Sequence, residues 1–387
     1  MTETHLHLGW RTALLGLVAF QLLVLAVMML AAPQNRPANR WLGLALVTIA
    51  GLLVPYAIGF AGAYDAWPWL TFTPFAIPLA VGPFLYAYAR SFDPGPSERL
   101  VWHALPAVLQ TGYLAFCFLL PIGPKWSWYT GGHNTFVAPV FSVLTLVSLA
   151  AYALAIGRIL ARYRKRLANQ RSDDDRFSAR WLSDVQSAII VGLLIEIGFW
   201  LWSLVSGGID YFQETGRYLA LGALGLYLGV AGWRHASLPA PLPVSEEVGS
   251  NLLDHARPAH DWAAIAQDMA QRTRTELWWK EADLTAPRLS RLLGTNSGRL
   301  SRAINLGLGM NFSTFINGLR AEGVAEALRT RDVTDLLDLA FEMGFASKAS
   351  FNRAFRARYA MAPSQFRRQV SDPDFSPPAL KLKRARS

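Results

Sequence analysis

Long apolar stretches fill the first 237 positions, and they constrain the fold of this chain more than any other feature. A helix needs roughly 20 apolar residues to cross the hydrocarbon core of a bilayer. Because backbone polar groups must be satisfied within lipid, such stretches indicate membrane-spanning helices. The sequence predicts seven spans, at 10–31, 41–62, 69–90, 101–120, 136–160, 181–206 and 217–236.

The positive charges between the spans predict an orientation. Loops that follow the first, third and fifth spans contain 12 Lys and Arg residues, whereas the opposite side has 3. Lys and Arg accumulate in cytoplasmic loops, so the N-terminus is expected outside and the C-terminal half in the cytoplasm. Tryptophans near both ends of the spans agree with this count, because indoles prefer the membrane interface.

Two polar side chains of the membrane half are candidate sensing residues. Glu196 lies mid-span, where a carboxylate is costly and usually faces the bundle interior. It is either a signal or proton site, or a protonated side chain hydrogen-bonded to a neighbour such as Gln21 or Gln110. His133 lies in a predicted outer loop, where it either meets an extracellular ligand or is simply solvated. The third span is expected to kink, because it contains Pro74, Pro78 and Pro83.

Composition changes sharply after the last span. A proline-rich linker over 238–260 separates the predicted sensor domain, 1–237, from a basic soluble domain over 261–370. Residues 371–387 form a basic tail that we expect to be disordered. The formal net charge of +10 suits nucleic acid or an anionic membrane surface as a partner. The single cysteine, Cys117, excludes an internal disulfide and a zinc site built from cysteines.

The soluble domain contains two similar units of paired helices. In the first, Thr285 or Asp283 caps a short helix, Gly294 ends it, and Ser297 caps a second helix. The second helix points Leu300, Ala303 and Ile304 inward and Arg299, Arg302 and Asn305 outward. Two short helices joined by a glycine-containing turn, with a polar outer face on the second, form a helix-turn-helix.

The same arrangement returns about 50 residues later. Asp335 caps the first helix, Gly344 occupies the turn, and Ser347 caps the second helix. Phe351 and Phe355 are expected to be buried. The outward residues of this second helix are Lys348, Asn352, Arg353 and Arg356. A long helix over 312–329 joins the two units, and an amphipathic helix over 261–279 precedes them.

These residues resemble the DNA-binding domain of the AraC/XylS family of bacterial transcription regulators, over all of 261–370. The matching positions are Leu289 to Gly294, Leu300, Ser301, Ile304, Asn305, Asn311, Phe312, Phe315, Ile316, Asn317, Arg320, Ala340, Gly344, Phe345, Ser350, Phe351, Phe355, Pro363 and Arg367. The resemblance implies that both second helices enter successive major grooves. The sequence departs from the family at Ala360, where a glycine is usual. A positive φ at this position would strain alanine. Val324 and Gly323 also interrupt the long helix, which usually has alanine at position 324.

Electrostatics support DNA as the partner independently of this resemblance. Residues 285–370 contain 13 Lys and Arg against 6 Asp and Glu. Lys and Arg neutralise phosphates, and the planar guanidinium of arginine matches guanine O6 and N7. By position, the resemblance implies that Arg302 and Arg353 are the base readers. The whole predicted DNA-binding set is Ser297, Arg299, Arg302, Asn305, Ser347, Lys348, Asn352, Arg353 and Arg356.

The sequence thus predicts an all-α protein, in which a seven-helix transmembrane bundle is followed by a soluble domain with two helix-turn-helix units joined by a long helix. It predicts a membrane-tethered regulator of the bacterial inner membrane that couples a membrane or extracellular signal to promoter DNA. Further expected partners are the lipid bilayer, a second copy of the chain, RNA polymerase and an unknown signal molecule. No motif of an enzyme, a metal site or a cofactor site is present. The alternatives are a transporter, or a scaffold whose basic domain docks a protein.

Overall fold

The computed structural model describes residues 6–34, 36–93, 100–172, 180–236, 261–331 and 335–370. The predicted linker and the basic tail lie outside these residues. By its contacts the chain divides into two compact units. Unit 1 comprises Met1–Ala161 and Ala179–Pro243, and unit 2 comprises Arg162–Ser178 and Val244–Ser387. Apart from one isolated bridge between Arg171 and Thr285, regular secondary structure in the described residues is helical.

Unit 1 is built from helices that follow the apolar stretches. They are α1 (Trp10–Ala31), α2 (Arg36–Phe60), α3 (Ala63–Ala66), α4 (Val81–Arg90), α5 (Leu105–Phe118), α6 (Ile122–Trp128), α7 (Ala138–Gln170), α8 (Arg180–Ser206) and α9 (Thr215–Ala236). Short 3₁₀ segments cover Pro68–Leu70, Pro78–Ala80 and Leu100–Ala104, and a π-helical segment covers Tyr129–Val137. The last nine residues of α7 fall in unit 2.

Five helical stretches of the described residues are long and apolar enough to cross a membrane, judged by length and composition. They are Trp10–Ala31, Arg36–Phe60, Leu100–Phe118, Ile122–Gln170 and Trp181–Ser206. By this criterion the structure supports five of the seven predicted spans, and the third and seventh do not meet it. The third predicted span is broken rather than kinked. Residues 71–77, which include Pro74, are not helical, and they separate the 3₁₀ turn at Pro68–Leu70 from the turn at Pro78–Ala80, which runs directly into α4. The seventh is the helix α9, whose composition is less apolar.

Glycines explain the lower hydropathy of α9. Added Cβ atoms at Gly222, Gly225, Gly229 and Gly232 would lie 2.2 to 2.9 Å from side chains of α1 and α2. Larger residues on this face of α9 would therefore clash with its two neighbours. Small residues allow membrane helices to approach closely, so a glycine stripe replaces apolar bulk on this face.

Unit 2 contains the two predicted pairs of helices. Its helices are α10 (Trp262–Thr275), α11 (Ala286–Leu292), α12 (Ser297–Arg302), α13 (Phe312–Thr330), α14 (Leu336–Glu342), α15 (Lys348–Tyr359) and α16 (Pro363–Val370). A 3₁₀ turn covers Trp278–Lys280, and a π-helical turn over Ala303–Gly307 extends α12. The long helix α13 agrees with the predicted range of 312–329 to one residue. The helix α10 ends four residues before the predicted position 279.

The core of unit 2 assembles around α13. Ile316 and Val324 are fully buried on it, and they pack with Leu289, Leu300 and Phe355 from the flanking helices. The glycine at position 323 of α13 has a steric reason. A Cβ atom at Gly323 would lie 2.5 Å from the indole of Trp279, so the buried indole occupies the space that an alanine methyl group would need.

Candidate nucleic-acid interface

The first helix-turn-helix unit is formed by α11 and α12. The hydroxyl of Thr285 accepts a hydrogen bond from the Arg288 amide at 3.4 Å, which identifies Thr285 rather than Asp283 as the cap of α11. Gly294 adopts a φ of 70°, as the turn requires. The predicted cap at Ser297 is wrong by one residue. Asn296 caps α12 by accepting from the Arg299 amide at 2.7 Å, because it holds the extended position just before the helix, whereas Ser297 is the first helical residue.

The predicted DNA-binding residues of this unit, Ser297, Arg299, Arg302 and Asn305, lie on α12 or in the π-helical turn that follows it, and they differ in their surroundings. Arg299 is exposed, and the hydroxyl of Ser297 lies 3.2 Å from that of Ser290 within the turn. Asn305 lies in the π-helical turn after α12, and its amide donates to the Ser301 hydroxyl at 3.2 Å. Arg302 is half-buried, with its guanidinium 6.0 Å from the centre of the Trp262 ring. At this distance the Trp262 indole of α10 makes a cation–π contact with this expected base reader.

The second unit, α14 and α15, follows the predicted pattern closely. Asp335 accepts from the Leu337 amide at 2.6 Å, and Ser347 accepts from the Ser350 amide at 3.1 Å. Gly344 has a φ of 86° in the turn. Both predicted caps and the turn glycine are confirmed by these contacts. Ala360, which ends α15, has a φ of 58°, so the strained backbone expected at this position is present.

The residues at the start of α15 form a basic outer face. Lys348, Arg353 and Arg356 are exposed. Asn352 is half-buried, and its amide donates to the Lys348 carbonyl at 2.9 Å. On the opposite side, Phe351 and Phe355 are buried, with ring centres 5.8 Å apart, and anchor the helix in the core.

Ion pairs distinguish the cations of the outer faces from the other cations of unit 2. Arg288 pairs with Glu281, and Arg331 pairs with Glu342 at 3.0 Å. Arg358 pairs with Glu322, which Arg274 also contacts at 3.1 Å. By contrast, no carboxylate of the described residues lies within 4.0 Å of the cationic groups of Arg299, Lys348 and Arg356. These three cations are therefore available to phosphates or bases.

A buried arginine on α13 forms a polar socket that sequence reasoning did not identify. Arg320 is fully buried, and its guanidinium donates to the carbonyl of Trp279 at 2.8 Å, to the carbonyl of Glu281 and to the side chain of Asn317 at 3.0 Å. It also donates to the hydroxyl of Ser172 at 3.0 Å. The available signal was its register: Ile316, Arg320 and Val324 recur every four residues on the inward face of α13.

Ser172 fills this socket from the segment that follows α7. Its side chain is fully buried, and its hydroxyl donates to the carbonyl of Leu284 at 2.8 Å. Its amide bonds the same carbonyl at 3.2 Å, and the Asn317 amide donates to the Ser172 carbonyl at 2.9 Å. Four hydrogen bonds therefore fix one residue of this loop within unit 2. Tyr163 and Leu167, in the basic end of α7, are buried as well.

The candidate sensing residues of unit 1 have partners that the sequence did not predict. Both carboxylate oxygens of Glu196 accept from Arg217, at 3.1 and 2.9 Å, rather than from Gln21 or Gln110. From the sequence, Arg217 counted only as a loop charge, because it lies at the start of the next helix and no local pattern pairs it with Glu196. Glu196 also lines an apolar cavity of about 60 Å³.

His133 lies in the π-helical segment rather than in the predicted outer loop. Its Nδ1 lies 2.8 Å from the hydroxyl of Tyr113, and its ring stacks on Tyr129 and meets Phe72 edge-on. The loop prediction failed because Gly131 and Gly132, which favour turns, are accommodated here in a wider helical turn.

No group of three or more His, Cys, Asp or Glu in the described residues has the spacing of a metal site.

Comparison with known proteins supports the identification of unit 2. A family described as "Helix-turn-helix domain" matches residues 289–369. The chain is 35% identical over 85 residues to uncharacterized HTH-type transcriptional regulators of Staphylococcus aureus, among them those of strains MSSA476 and N315. The match covers 22% of this chain and only 11% of those regulators. No solved structure matches the chain. The C-terminal part therefore carries a helix-turn-helix domain of AraC type.

Proposed function

We propose that this protein is a membrane-tethered, one-component transcription regulator that couples a signal in the membrane or outside it to promoter binding. The observation that carries the proposal is the pair of exposed basic second helices, α12 and α15, within the segment matched to the helix-turn-helix domain. Each follows a capped first helix and a positive-φ glycine, the arrangement by which such units insert a recognition helix into the major groove.

The division of roles on the second helices follows from their surroundings. Arg353 is the leading base reader, because it is exposed on the outer face of a regular helix. The guanidinium of Arg302 must move away from the Trp262 ring, or the two side chains must move together, before it can reach a base. Arg299, Lys348 and Arg356 contact phosphates or bases, since no carboxylate of the described residues neutralises them.

The five apolar helical stretches support tethering in a bacterial inner membrane, with the DNA-binding domain in the cytoplasm. A tethered regulator must meet its operator at the membrane. A second copy of the chain would raise the effective concentration of recognition helices on paired half-sites. RNA polymerase is the further partner through which promoter binding would alter transcription.

The Ser172 socket supports a route for the signal. The helix α7 begins in unit 1, and its last residues and Ser172 belong to unit 2. A shift of α7 would act on Ser172, and therefore on Arg320 and α13, the helix that joins the two helix-turn-helix units. Four hydrogen bonds give Ser172 one defined position in unit 2, so a displacement of α7 would reach Arg320 through it.

The test of the proposal is DNA binding by the full chain in lipid nanodiscs. Sheared genomic DNA is captured, sequenced and used to define an operator, which is then titrated in a gel shift at several salt concentrations. We expect enrichment of discrete promoter sites and affinity that falls steeply with salt. Capture of no DNA at low salt by the folded protein would contradict the regulator and favour a transporter or scaffold. Recovery of the chain in the soluble cell fraction would contradict membrane tethering but not DNA binding.

A further inference from the structure

A second cavity of unit 1, of about 340 Å³, lies near the junction of α3, the 3₁₀ turn at Pro68–Leu70 and α6. Tyr64, Asp65, Thr71, Lys125 and Trp126 are among the residues that line it. Its volume falls within the range of small-molecule sites, about 300–1,000 Å³. Such sites combine aromatic walls with a few convergent polar groups, and this cavity has both.

Lys125 is the unusual member of the lining. Its side chain is only 3% exposed, and its ammonium donates to the carbonyl of Trp69 at 3.1 Å and lies 4.9 Å from the centre of the Phe118 ring. No carboxylate of the described residues lies within 4.0 Å of Nζ. A buried cation without a counter-ion is unfavourable, and two of its three N–H donors remain to be satisfied. An anionic oxygen entering the cavity would supply both the counter-ion and a hydrogen-bond acceptor for these donors.

The other charge of the cavity is negative. Asp65 is exposed on α3, and it forms no ion pair with Lys125, so the two charges stay more than 4.0 Å apart. The Asp65 carboxylate can therefore accept hydrogen bonds from a cationic ligand group while Lys125 holds an anionic one. Burial raises the pKa of Tyr64 to about 12, so its phenol stays protonated and able to donate to the same anion.

We infer that this cavity binds a zwitterion that carries an anionic phosphate or carboxylate group and a primary ammonium group. Lys125 would hold the anionic oxygens, Asp65 would accept from the ammonium, and Trp126 would cover the aliphatic part. A free zwitterionic solute and the headgroup of an ethanolamine lipid share this chemistry. The role of this cavity as a signal site rests on the proposed function. In that role, ligand binding in unit 1 would be the signal that changes DNA binding by unit 2.

The experiment uses the full chain in nanodiscs and two probes that separate the sources. O-phosphoethanolamine is titrated by calorimetry against protein in phosphatidylcholine discs. Native mass spectrometry then counts retained lipid in discs that contain phosphatidylethanolamine or only phosphatidylcholine. Binding of the free probe indicates a soluble ligand, and selective retention of phosphatidylethanolamine indicates a lipid. Either result supports the inference.

Variants test the assigned contacts. Lys125→Met and Asp65→Asn should each weaken binding about 10- to 150-fold, as expected for loss of a charged hydrogen bond. Asp210→Asn is the matched control, because Asp210 is also exposed in unit 1 but does not line the cavity. If Lys125→Met does not fold, Asp65→Asn still tests the inference, because Asp65 is exposed and folding does not depend on burying it.

Three results would overturn the inference: no binding in either arm, unchanged binding by both variants, or equally tight binding of inorganic phosphate, which lacks the ammonium. A gel shift on the same preparations distinguishes failure of this inference from failure of the proposed function. Zwitterion binding without DNA binding would reject the regulator and keep the site. DNA binding without zwitterion binding would do the reverse.

Discussion

Replacing Ser172 with alanine should release the loop after α7 from unit 2. The change removes the hydroxyl that accepts from Arg320 at 3.0 Å and donates to the Leu284 carbonyl at 2.8 Å. A hydrogen bond to a charged group contributes about 1.5–3 kcal/mol, and a neutral one about 0.5–1.5 kcal/mol. The docked loop should therefore lose about 2–4 kcal/mol, although the backbone hydrogen bonds of Ser172 and the bond from Asn317 remain.

Trypsin cleavage after Arg171 measures this loss, because the protease needs the loop undocked. When opening and closing are faster than cleavage, the cleavage rate follows the population of the open form. A loss of about 2–4 kcal/mol then raises the rate about 30- to 700-fold. Mass spectrometry of the fragment that starts at residue 172 isolates this cleavage from cuts elsewhere.

Ser142→Ala is the matched control. Ser142 is exposed on α7, and its hydroxyl only bonds the Ala138 carbonyl of the same helix at 3.0 Å. The control should be cleaved after Arg171 at the wild-type rate. A rate for Ser172→Ala within twofold of wild type would refute the idea that these contacts hold the loop. Faster cleavage with unchanged reporter output in cells would instead reject the loop as the route of the signal.

Three other variants and one pair of reporter fusions test the remaining assignments. Arg353→Ala should weaken operator binding by about 1–3 kcal/mol and relax specificity at one base pair in a binding-site selection, whereas a uniform loss across sequences would reject it as a base reader. Lys348→Ala should weaken all sequences about equally and reduce the slope of log affinity against log salt by roughly one unit. Ala360→Gly should raise the free energy of unfolding of unit 2 by about 1 kcal/mol in denaturant melts, because glycine adopts the φ of 58° without strain; no change would remove the strain argument. Reporter fusions after Trp67 and Arg171 should report the outside and the cytoplasm, respectively, and the reverse result would invert the predicted topology.

Local sequence patterns were sufficient where one residue decides a local conformation. Asp335 and Ser347 cap their helices as predicted, Thr285 is the one of two predicted candidates that caps α11, and Gly294 and Gly344 occupy the turns with positive φ. These features depend on hydrogen bonds and sterics within a few residues, so a single sequence contains the necessary information. The inward registers of α13 and α15 followed from helical periodicity for the same reason.

Apolar composition predicted where helices form in unit 1 but not how they are interrupted or partnered. The broken third span and the helical surroundings of His133 depend on whether neighbours satisfy the backbone, and composition cannot show this. The pairing of Glu196 with Arg217 joins α8 to α9 and is not visible as a local pattern.

Only the tertiary structure placed the Ser172 socket and the Lys125 cavity. Ser172 and Arg320 are 148 positions apart, and Lys125 and Trp69 are 56 apart, so no local rule relates either pair. The sequence by itself determined two helix-turn-helix units and their basic faces, because capping, turns and periodicity are short-range. It left open which buried charges acquire partners, because that depends on packing between segments distant in the chain.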